Sequence, residues 1–374
     1  MHVAVIATNY PPHRGGVEQH LAALGRRLVA RGVRCTVVCL GADPAERVED
    51  GVTVRTLRRR LDLGQVLAVP DPAAWRRTTR DLSRAGVTHI STHTRFFPMS
   101  LLGVRLAARL GVPSVHTEHG AGSVRTGRAA MDRGAELVDR TLGRRVLSRA
   151  TTVLAVSARS AQFVNDLSGR TAEVIGNAVD LAAWRPAEPP APQRRLVFAG
   201  RLAREKGWAD FLDAVESVRD LQGVSAVVAG AGADLPAVRR AVADRQLAGL
   251  VHVAGPLETA ELAQQLAGAV YVNPSRAAEG FQLTQLEAAA AGAQVVTYDV
   301  GVARELAASG APVIVVPDGD VAALARATRA ALTDPQPAAT PEQLRQWDWE
   351  TLADRYLDVL QRVSVPTLDA QGRG

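Results

Sequence analysis

One lysine stands in the whole chain. It is Lys206, in the stretch GRLAREKGWADF that runs from Gly200 to Phe211, and the other 43 of the 44 basic residues are arginine. The stretch follows RLVFA, an apolar run with the pattern of a short buried strand, so Arg201 and Lys206 fall just past a strand's carboxyl end. Two cations there suit a bound diphosphate. An ammonium is a compact charge on a flexible stem, whereas a guanidinium needs room for its planar fork. A tight pocket against a phosphate oxygen would therefore reject arginine, even in a chain that uses arginine everywhere else. The plain alternative is one lysine kept by chance.

A second stretch, PSRAAEGFQLTQLEAAAAG (274–292), holds Glu279 and Glu287 eight residues apart. Between them GFQLT opens an alanine-rich helix. The first turn of a helix offers free N–H groups and the positive end of the helix dipole, which together attract anions; Gln282, Leu283 and Thr284 stand there. Gly280 lets the backbone approach a ligand closely. Glu287 falls two turns into the helix, so the two carboxylates can address different parts of one ligand. Ionised carboxylates only accept hydrogen bonds, which suits the hydroxyls of a sugar or a ribose. Against this stands an ordinary capped helix with Glu287 facing water. A third stretch, AGPLETAEL (254–262), closes a strand with Gly-Pro and starts a helix. Its backbone around Gly255 and Leu257 could meet the edge of a planar base, and it is the least specific of the three signals.

These stretches need elements to hold them. Strand-like and helix-like runs alternate from end to end. HVAVIAT (2–8), the amphipathic VEQHLAALGRRLVARG (17–32) and RCTVVCLG (34–41) make one βαβ unit, whose strands should be parallel. VTHISTHT (87–94), PSVHTEH (113–119), TTVLAVS (151–157) and AEVIGN (172–177) continue the pattern. RPAEPPAPQRR (185–195), with four prolines, reads as a linker. Beyond it the alternation restarts with RLVFAG, SAVVAG, VHVAG, VYVNPS, AQVVTYD and PVIVVP. The expectation is an α/β protein with two doubly wound domains facing across a cleft. Ligands in such sheets bind at the carboxyl ends of the strands. The tail TLDAQGRG (367–374) is expected to be disordered.

Composition narrows the class. At 47% hydrophobic residues the chain can bury a large core, and at 4% aromatics with abundant Ala, Val, Leu and Gly it does not read as a β-sandwich. No apolar run approaches the roughly 20 residues that span a bilayer, and the N-terminus lacks the pattern of a signal peptide, so a cytoplasmic protein is expected. Cys35 and Cys39 would sit on one face of a strand but roughly 13 Å apart, too far for a disulfide. The net charge of +6 is uneven: residues 1–180 carry +11 and residues 181–374 carry −5. The basic half holds RTLRRRLD (55–62), WRRTTRDLSR (75–84) and a run of arginines from Arg125 to Arg149. Solvated helix faces explain this, as does an anionic acceptor or contact with an anionic membrane at its inner face. Nucleic acid is disfavoured, because aromatics do not interleave with the arginines.

The motifs together resemble one family. GRLAREKG resembles the GRLxxxKG segment of the GT4 family of retaining, nucleotide-sugar-dependent glycosyltransferases, and EGFQLTQLE resembles its E-x7-E motif. NYPPHRGGVEQHLAALGRRLVARG (9–32) is similar to the family's opening PxxGGxExxxxxLxxxLxxRG, and VIGNAVDLAAWRP (174–186) to its PNGVDxxxFxP segment. The likeness runs through nearly the whole chain in the right order. It implies the GT-B fold of two Rossmann-like domains: residues 1–184 on the acceptor side, residues 185–350 binding the donor, and residues 351–374 as a helix crossing back to the first domain plus a flexible tail.

By residue, the resemblance implies that Arg201 and Lys206 neutralise the donor diphosphate, with the N–H groups around Gln282, Leu283 and Thr284 and the bare loop of Gly15 and Gly16 close by. Glu287 would hold the ribose, and Glu279, Gly280 and Phe281 the transferring sugar. His119, in TEHG, matches the histidine that reaches the donor sugar near the reacting carbon, so His119 and Glu279 are the catalytic candidates. Uridine or guanosine diphosphate sugars are the expected donors. No metal is expected, since a diphosphate is already a good leaving group. The expected acceptor is a lipid-linked or cell-surface glycan precursor or a secondary metabolite. His89, His93 and His116 read as ordinary strand residues. Two departures stand out: EGFG reads EGFQ, which adds the Gln282 side chain near the phosphates, and PNG reads GNA at 176–178. A glycoside hydrolase would leave Arg201 and Lys206 unexplained. A nucleotide-sugar 2-epimerase of the same fold would need further carboxylates, and a non-catalytic anion- or membrane-binding protein would not need the intact set.

Overall fold

The structure, a computed structural model, describes residues 1–13, 15–63, 67–123, 129–188, 190–277 and 279–364. Arg125 and Arg128 of the basic run, and the tail 367–374, lie outside these residues. The chain divides into two units. The first is Met1–Asn177 together with the segment that begins at Trp349, and the second is Ala178–Asp348.

The first unit is built on a sheet of β1 (His2–Ile6), β2 (Arg34–Gly41), β3 (Ala45–Glu49), β4 (Val52–Leu63), β5 (Leu67–Pro70), β6 (His89–His93), β7 (Ser114–Glu118), β8 (Thr152–Ala155) and β9 (Glu173–Val174). Their order is β3-β4-β2-β1-β6-β7-β8-β9, with β5 also beside β4. All pairs are parallel except those that β3 and β5 make with β4. The strands β1, β6 and β7 are buried at every residue, although β6 and β7 carry His89, His93, His116 and Glu118. Cys35 and Cys39 are free and buried on β2.

The strands β3 to β5 are absent from the sequence reading, which took RTLRRRLD as a basic stretch. It lies within β4. Arg55 there binds Glu46 on β3 at 2.8 Å and Asp81 at 3.0 Å, so an opposite charge on each side lets arginine sit in a strand.

The second unit has six parallel strands: β10 (Arg195–Ala199), β11 (Ser225–Ala229), β12 (Val251–Gly255), β13 (Val270–Asn273), β14 (Gln294–Tyr298) and β15 (Val313–Val316). They lie in the order β12-β11-β10-β13-β14-β15. Alternate residues of β10 serve two cores. Leu196 and Phe198 pack with Phe211, Leu212 and Val215, while Val197 and Ala199 pack with Leu286, Ala289 and Ala290. This is the doubly wound arrangement, with strand order reversing between β10 and β13.

The unit boundaries differ from the sequence reading, which divided the chain at 184/185 and 350/351. The reason is packing. The short helix Leu181–Trp184 belongs to the second unit, where Val179 and Trp184 share a core with Leu286 and Trp347. The proline-rich stretch follows inside that unit, and Gln193 donates its N–H to Gly268 O at 2.7 Å. The chain enters and leaves the second unit side by side, with Val179 N–H donating to Trp347 O at 3.0 Å. The helix Trp349–Ser364 then packs in the first unit. Arg31 binds Asp354 at 2.6 Å and Glu350 at 2.9 Å, Arg355 donates to Val174 O at 2.7 Å, and Tyr356 OH lies 2.7 Å from Ser91 Oγ. Among the described residues no helix is long and apolar enough to cross a membrane.

One glycine shows how tightly the second unit is closed. Gly207 has φ +76, and a Cβ added there would lie 1.9 Å from Pro274 O, a backbone atom that cannot swing away. Gly207→Ala should therefore destabilise the second unit by about 3 kcal/mol or more in denaturant titration, while Gly249→Ala, whose Cβ would meet open space, should change stability by less than about 0.5 kcal/mol.

Candidate active site

The reversal of strand order between β10 and β13 makes the loops after these two strands neighbours, and they are the two stretches that carry Lys206 and Glu279. The loop after β10 ends in a short 3-10 turn, Arg204–Lys206, and Gly207 starts the next helix. Lys206 Nζ forms an ion pair with Glu279 Oε1, both side chains being largely buried. Arg201 does not share this pair. It is exposed and binds Glu205 at 2.9 Å.

The backbone around this pair is crowded. A Cβ on Gly230 would lie 1.8 Å from Gly200 O, and one on Gly232 would lie 2.1 Å from Leu202 O. The sequence reading passed over the AGAGAD turn that follows β11. The signal was two glycines just past a strand's carboxyl end, where close backbone approach excludes any side chain.

The helix Leu283–Ala290 follows the β13 loop. Its N-cap is Gln282, in extended conformation and without a side-chain capping bond, so the N–H groups of Leu283 and Thr284 lack the usual side-chain acceptor. The Gln282 side chain does not reach toward a ligand, contrary to the sequence expectation. It is 4% exposed, and its Oε1 accepts from Asn273 Nδ2 and, at 2.8 Å, from Gln285 Nε2. A glutamine in place of glycine is thus absorbed by the core. Gly280 is buried, and Phe281 packs with Leu283 and Leu257 on one apolar cluster. Gly255 has φ +77, and its carbonyl accepts from Gly230 N–H at 2.7 Å. Glu287 is half-buried, and burial pushes its carboxyl up to about 7.

The first unit gathers its own polar groups at its own reversal, between β1 and β6. His93 ends β6, His119 follows β7, and His20 lies on the helix Gly16–Ala30 after β1. His93 Nδ1 and His119 Nε2 are 3.0 Å apart, and the His20 ring meets the His119 ring edge-on at 5.0 Å. Burial lowers the His119 imidazole to about 4 against the opposing pull of Glu118, so it is neutral at pH 7. His93 is therefore no ordinary strand residue. His89 and His116 are: His89 Nε2 lies 2.9 Å from Leu360 O, and His116 Nδ1 lies 2.9 Å from Thr92 Oγ1. Neither His20 nor His93 was singled out in sequence, because their meeting depends on which strands are adjacent.

Gly15 is the N-cap of the first helix and Gly16 its first residue. A Cβ on Gly16 would meet open space, whereas one on Gly15 would lie 2.1 Å from Glu18 Oε2. Only the second glycine presents a bare surface.

Two family profiles match the chain, Glycosyltransferase Family 4 over residues 14–183 and Glycosyl transferases group 1 over residues 193–334. The chain belongs to the GT4 glycosyltransferases. Its relatives include a D-inositol 3-phosphate glycosyltransferase of Frankia alni, 29% identical over 82% of this chain and 83% of that protein. An alpha-maltose-1-phosphate synthase of Mycolicibacterium smegmatis is 28% identical over 98% of this chain and 100% of its own length. Among solved structures, Anabaena HepE in complex with UDP superposes with a TM-score of 0.74 at 18% identity, over 97% of this chain and 100% of HepE. The fold is accordingly GT-B, with two parallel-sheet α/β domains. In this GT4 chain the first profile match ends at residue 183 and the second begins at 193, a few residues beyond Asn177, where the fold itself divides.

Glu287 yields a pH prediction. Above about pH 7 its carboxylate accepts hydrogen bonds, and below that it is protonated and loses an acceptor. If it holds ribose hydroxyls, the affinity for UDP-glucose, whose diphosphate stays ionised, should fall about tenfold between about pH 8 and about pH 6. Calorimetric titration should show this slope in the wild type and a flat profile in Glu287→Gln. A flat wild-type profile would remove Glu287 from the binding site.

Proposed function

We propose that this glycosyltransferase moves a sugar from a nucleoside-diphosphate sugar to an acceptor hydroxyl with retention of configuration and without a metal. The observation that carries the reading is the Lys206–Glu279 pair, set at the strand-order reversal beside a helix start that no side chain caps. Breaking a glycosyl–phosphate bond builds positive charge on the sugar ring and negative charge on the departing diphosphate. Lys206 and the N–H groups of Leu283 and Thr284 meet that negative charge as it develops, in a place held rigid by close-packed backbone. Diphosphate leaves readily, so the step asks for no general acid. Arg201, exposed, adds a second cation at the rim.

Glu279 then accepts from hydroxyls of the transferring sugar. Its ion pair with Lys206 argues against a nucleophile's role, because attack would take the carboxylate out of that pair. Retention follows from attack on the face that the diphosphate leaves, with a diphosphate oxygen taking the acceptor's proton. His119, neutral at pH 7, serves as a hydrogen-bonding group to the donor sugar and carries no charge into the site.

Uridine or guanosine is the favoured base, in line with the UDP bound to HepE. One relative's name gives a polyol phosphate, D-inositol 3-phosphate, and the +11 charge of residues 1–180 suits such an anionic acceptor, or a lipid-linked precursor at the inner face of a membrane.

Thermal-shift titration tests this. UDP or GDP, or a sugar conjugate of one of them, should raise the melting temperature of the wild type, unaffected by EDTA. Lys206→Ala should weaken that ligand by about tenfold or more. Lys206→Arg should recover only part of the loss, and Arg201→Ala should cost less than either. No shift with any nucleotide would sink the transferase reading.

A further inference from the structure

The first unit brings three imidazoles together with no carboxylate among them. His20, His93 and His119 each offer a ring nitrogen, and these nitrogens all lie within 4.8 Å of one another. They come from three separate elements, a helix and the ends of two adjacent parallel strands, so the group is preorganised by the sheet. His20 and His93 are 6% and 2% exposed, while His119 keeps a path to solvent. His20 Nδ1 is buried and has no hydrogen-bond partner, an unspent polar atom of the kind that calls for a ligand.

The surroundings of His93 add a second observation. Its Nε2 lies 3.0 Å from Ser91 Oγ, which in turn lies 2.7 Å from Tyr356 OH on the returning helix. A ring held through one nitrogen by a hydroxyl keeps the other for a metal, which is how ligating histidines are oriented. The Nδ1 thus aimed is the atom that faces His119 Nε2.

We propose that His20, His93 and His119 bind a divalent transition ion of the zinc class, and that the bound ion inhibits the enzyme by taking His119 out of use. Three neutral imidazoles with a fourth position open to water is a coordination set that Zn²⁺ accepts, and imidazole nitrogen favours Zn²⁺, Ni²⁺ and Co²⁺ over Mg²⁺ or Ca²⁺. In the complex the hydrogen bond between His93 Nδ1 and His119 Nε2 is replaced by two metal–nitrogen bonds, and the proton that bridged them moves to the other nitrogen of the His119 ring. No net proton leaves the site. The inhibition rests on the transferase reading, whereas the binding does not.

The test uses the full chain freed of metal. Calorimetric titration with ZnCl₂ should show about one equivalent bound, and Co²⁺ should give the visible absorption of a low-coordinate imidazole site, abolished by EDTA. His20→Gln and His93→Gln should each lose this binding with the far-ultraviolet circular dichroism unchanged. Ser91→Ala, which keeps all three ligands, should weaken it about tenfold. Should His93→Gln fail to fold, His20→Gln and Ser91→Ala carry the test. The exposed His13 and His252 serve as controls, and replacing either with alanine should leave the binding intact. The absence of saturable Zn²⁺ binding, or binding that survives in His20→Gln and disappears in His13→Ala or His252→Ala, would overturn the site. Sugar transfer that proceeds at full rate with Zn²⁺ bound would overturn the inhibition.

Discussion

A parallel sheet sends every strand's carboxyl end to one edge, and where the strand order reverses, the connecting loops part to opposite faces. That geometric constraint decides where chemistry can occur in this protein. Between β10 and β13 it leaves a gap whose two walls are the loops with Lys206 and Glu279. Between β1 and β6 it gathers the histidines. Neither cluster could be assembled by residues close in sequence, since 73 positions separate Lys206 from Glu279. The glycines follow from the same constraint. Gly207, Gly230 and Gly232 stand where one loop's backbone rests against another's, and a single added methyl would push the walls apart.

Charge is distributed to match. The second unit, acidic overall, concentrates a half-buried lysine and an uncapped helix start at its gap. Glu287 sits on the same helix with its proton affinity raised by burial alone, a perturbation of the kind that functional sites concentrate. The Gln282 side chain is instead held inside the core, its amide oxygen accepting from Asn273 and Gln285. Two polar groups within six residues therefore have opposite fates. One is a carboxyl raised by burial, and the other is an amide whose oxygen accepts two hydrogen bonds.

The sequence made much of this legible. Short runs such as VFAG and VVAG, bounded by glycine and followed by helical periodicity, fix parallel strands to within a residue or two, because burial on both faces leaves no polar alternation to confuse them. The lone lysine was legible because it broke a compositional rule. What stayed hidden depended on tertiary partners. The strands β3 to β5 were masked by arginines whose charges are met across strands, as Arg55 is by Glu46. The unit boundary escaped because proline content marks an irregular path, which need not be a hinge; here the hydrophobic Leu181–Trp184 turn had already joined the second core. The pairing of His93 with His119 required knowing that β6 and β7 are neighbours. The outward placement of Arg201 depended on Glu205 one turn away, a local ion pair that a motif does not express.

The contrast between one lysine and many arginines has a structural counterpart in Arg95. This side chain is 0% exposed. Its guanidinium donates to Glu118 Oε1 at 2.8 Å, to Asp139 Oδ2 at 2.9 Å and to Gly122 O at 3.0 Å, and it lies 4.3 Å from the centre of the Phe163 ring. Burial alone would raise the Glu118 carboxyl, yet Arg95, His116 and the Gly120 N–H hold it down to about 2. Glu118 is thereby a permanent anion, and the residue after it is His119. A planar fork that serves three acceptors at fixed angles, and stacks on an aromatic face, is a task an ammonium cannot perform. At Lys206 the demand is reversed, since a single carboxylate is met by a compact charge that needs no fixed plane. Arginine builds the scaffold beside His119, and the one lysine stands where a single carboxylate is met at the strand-order reversal.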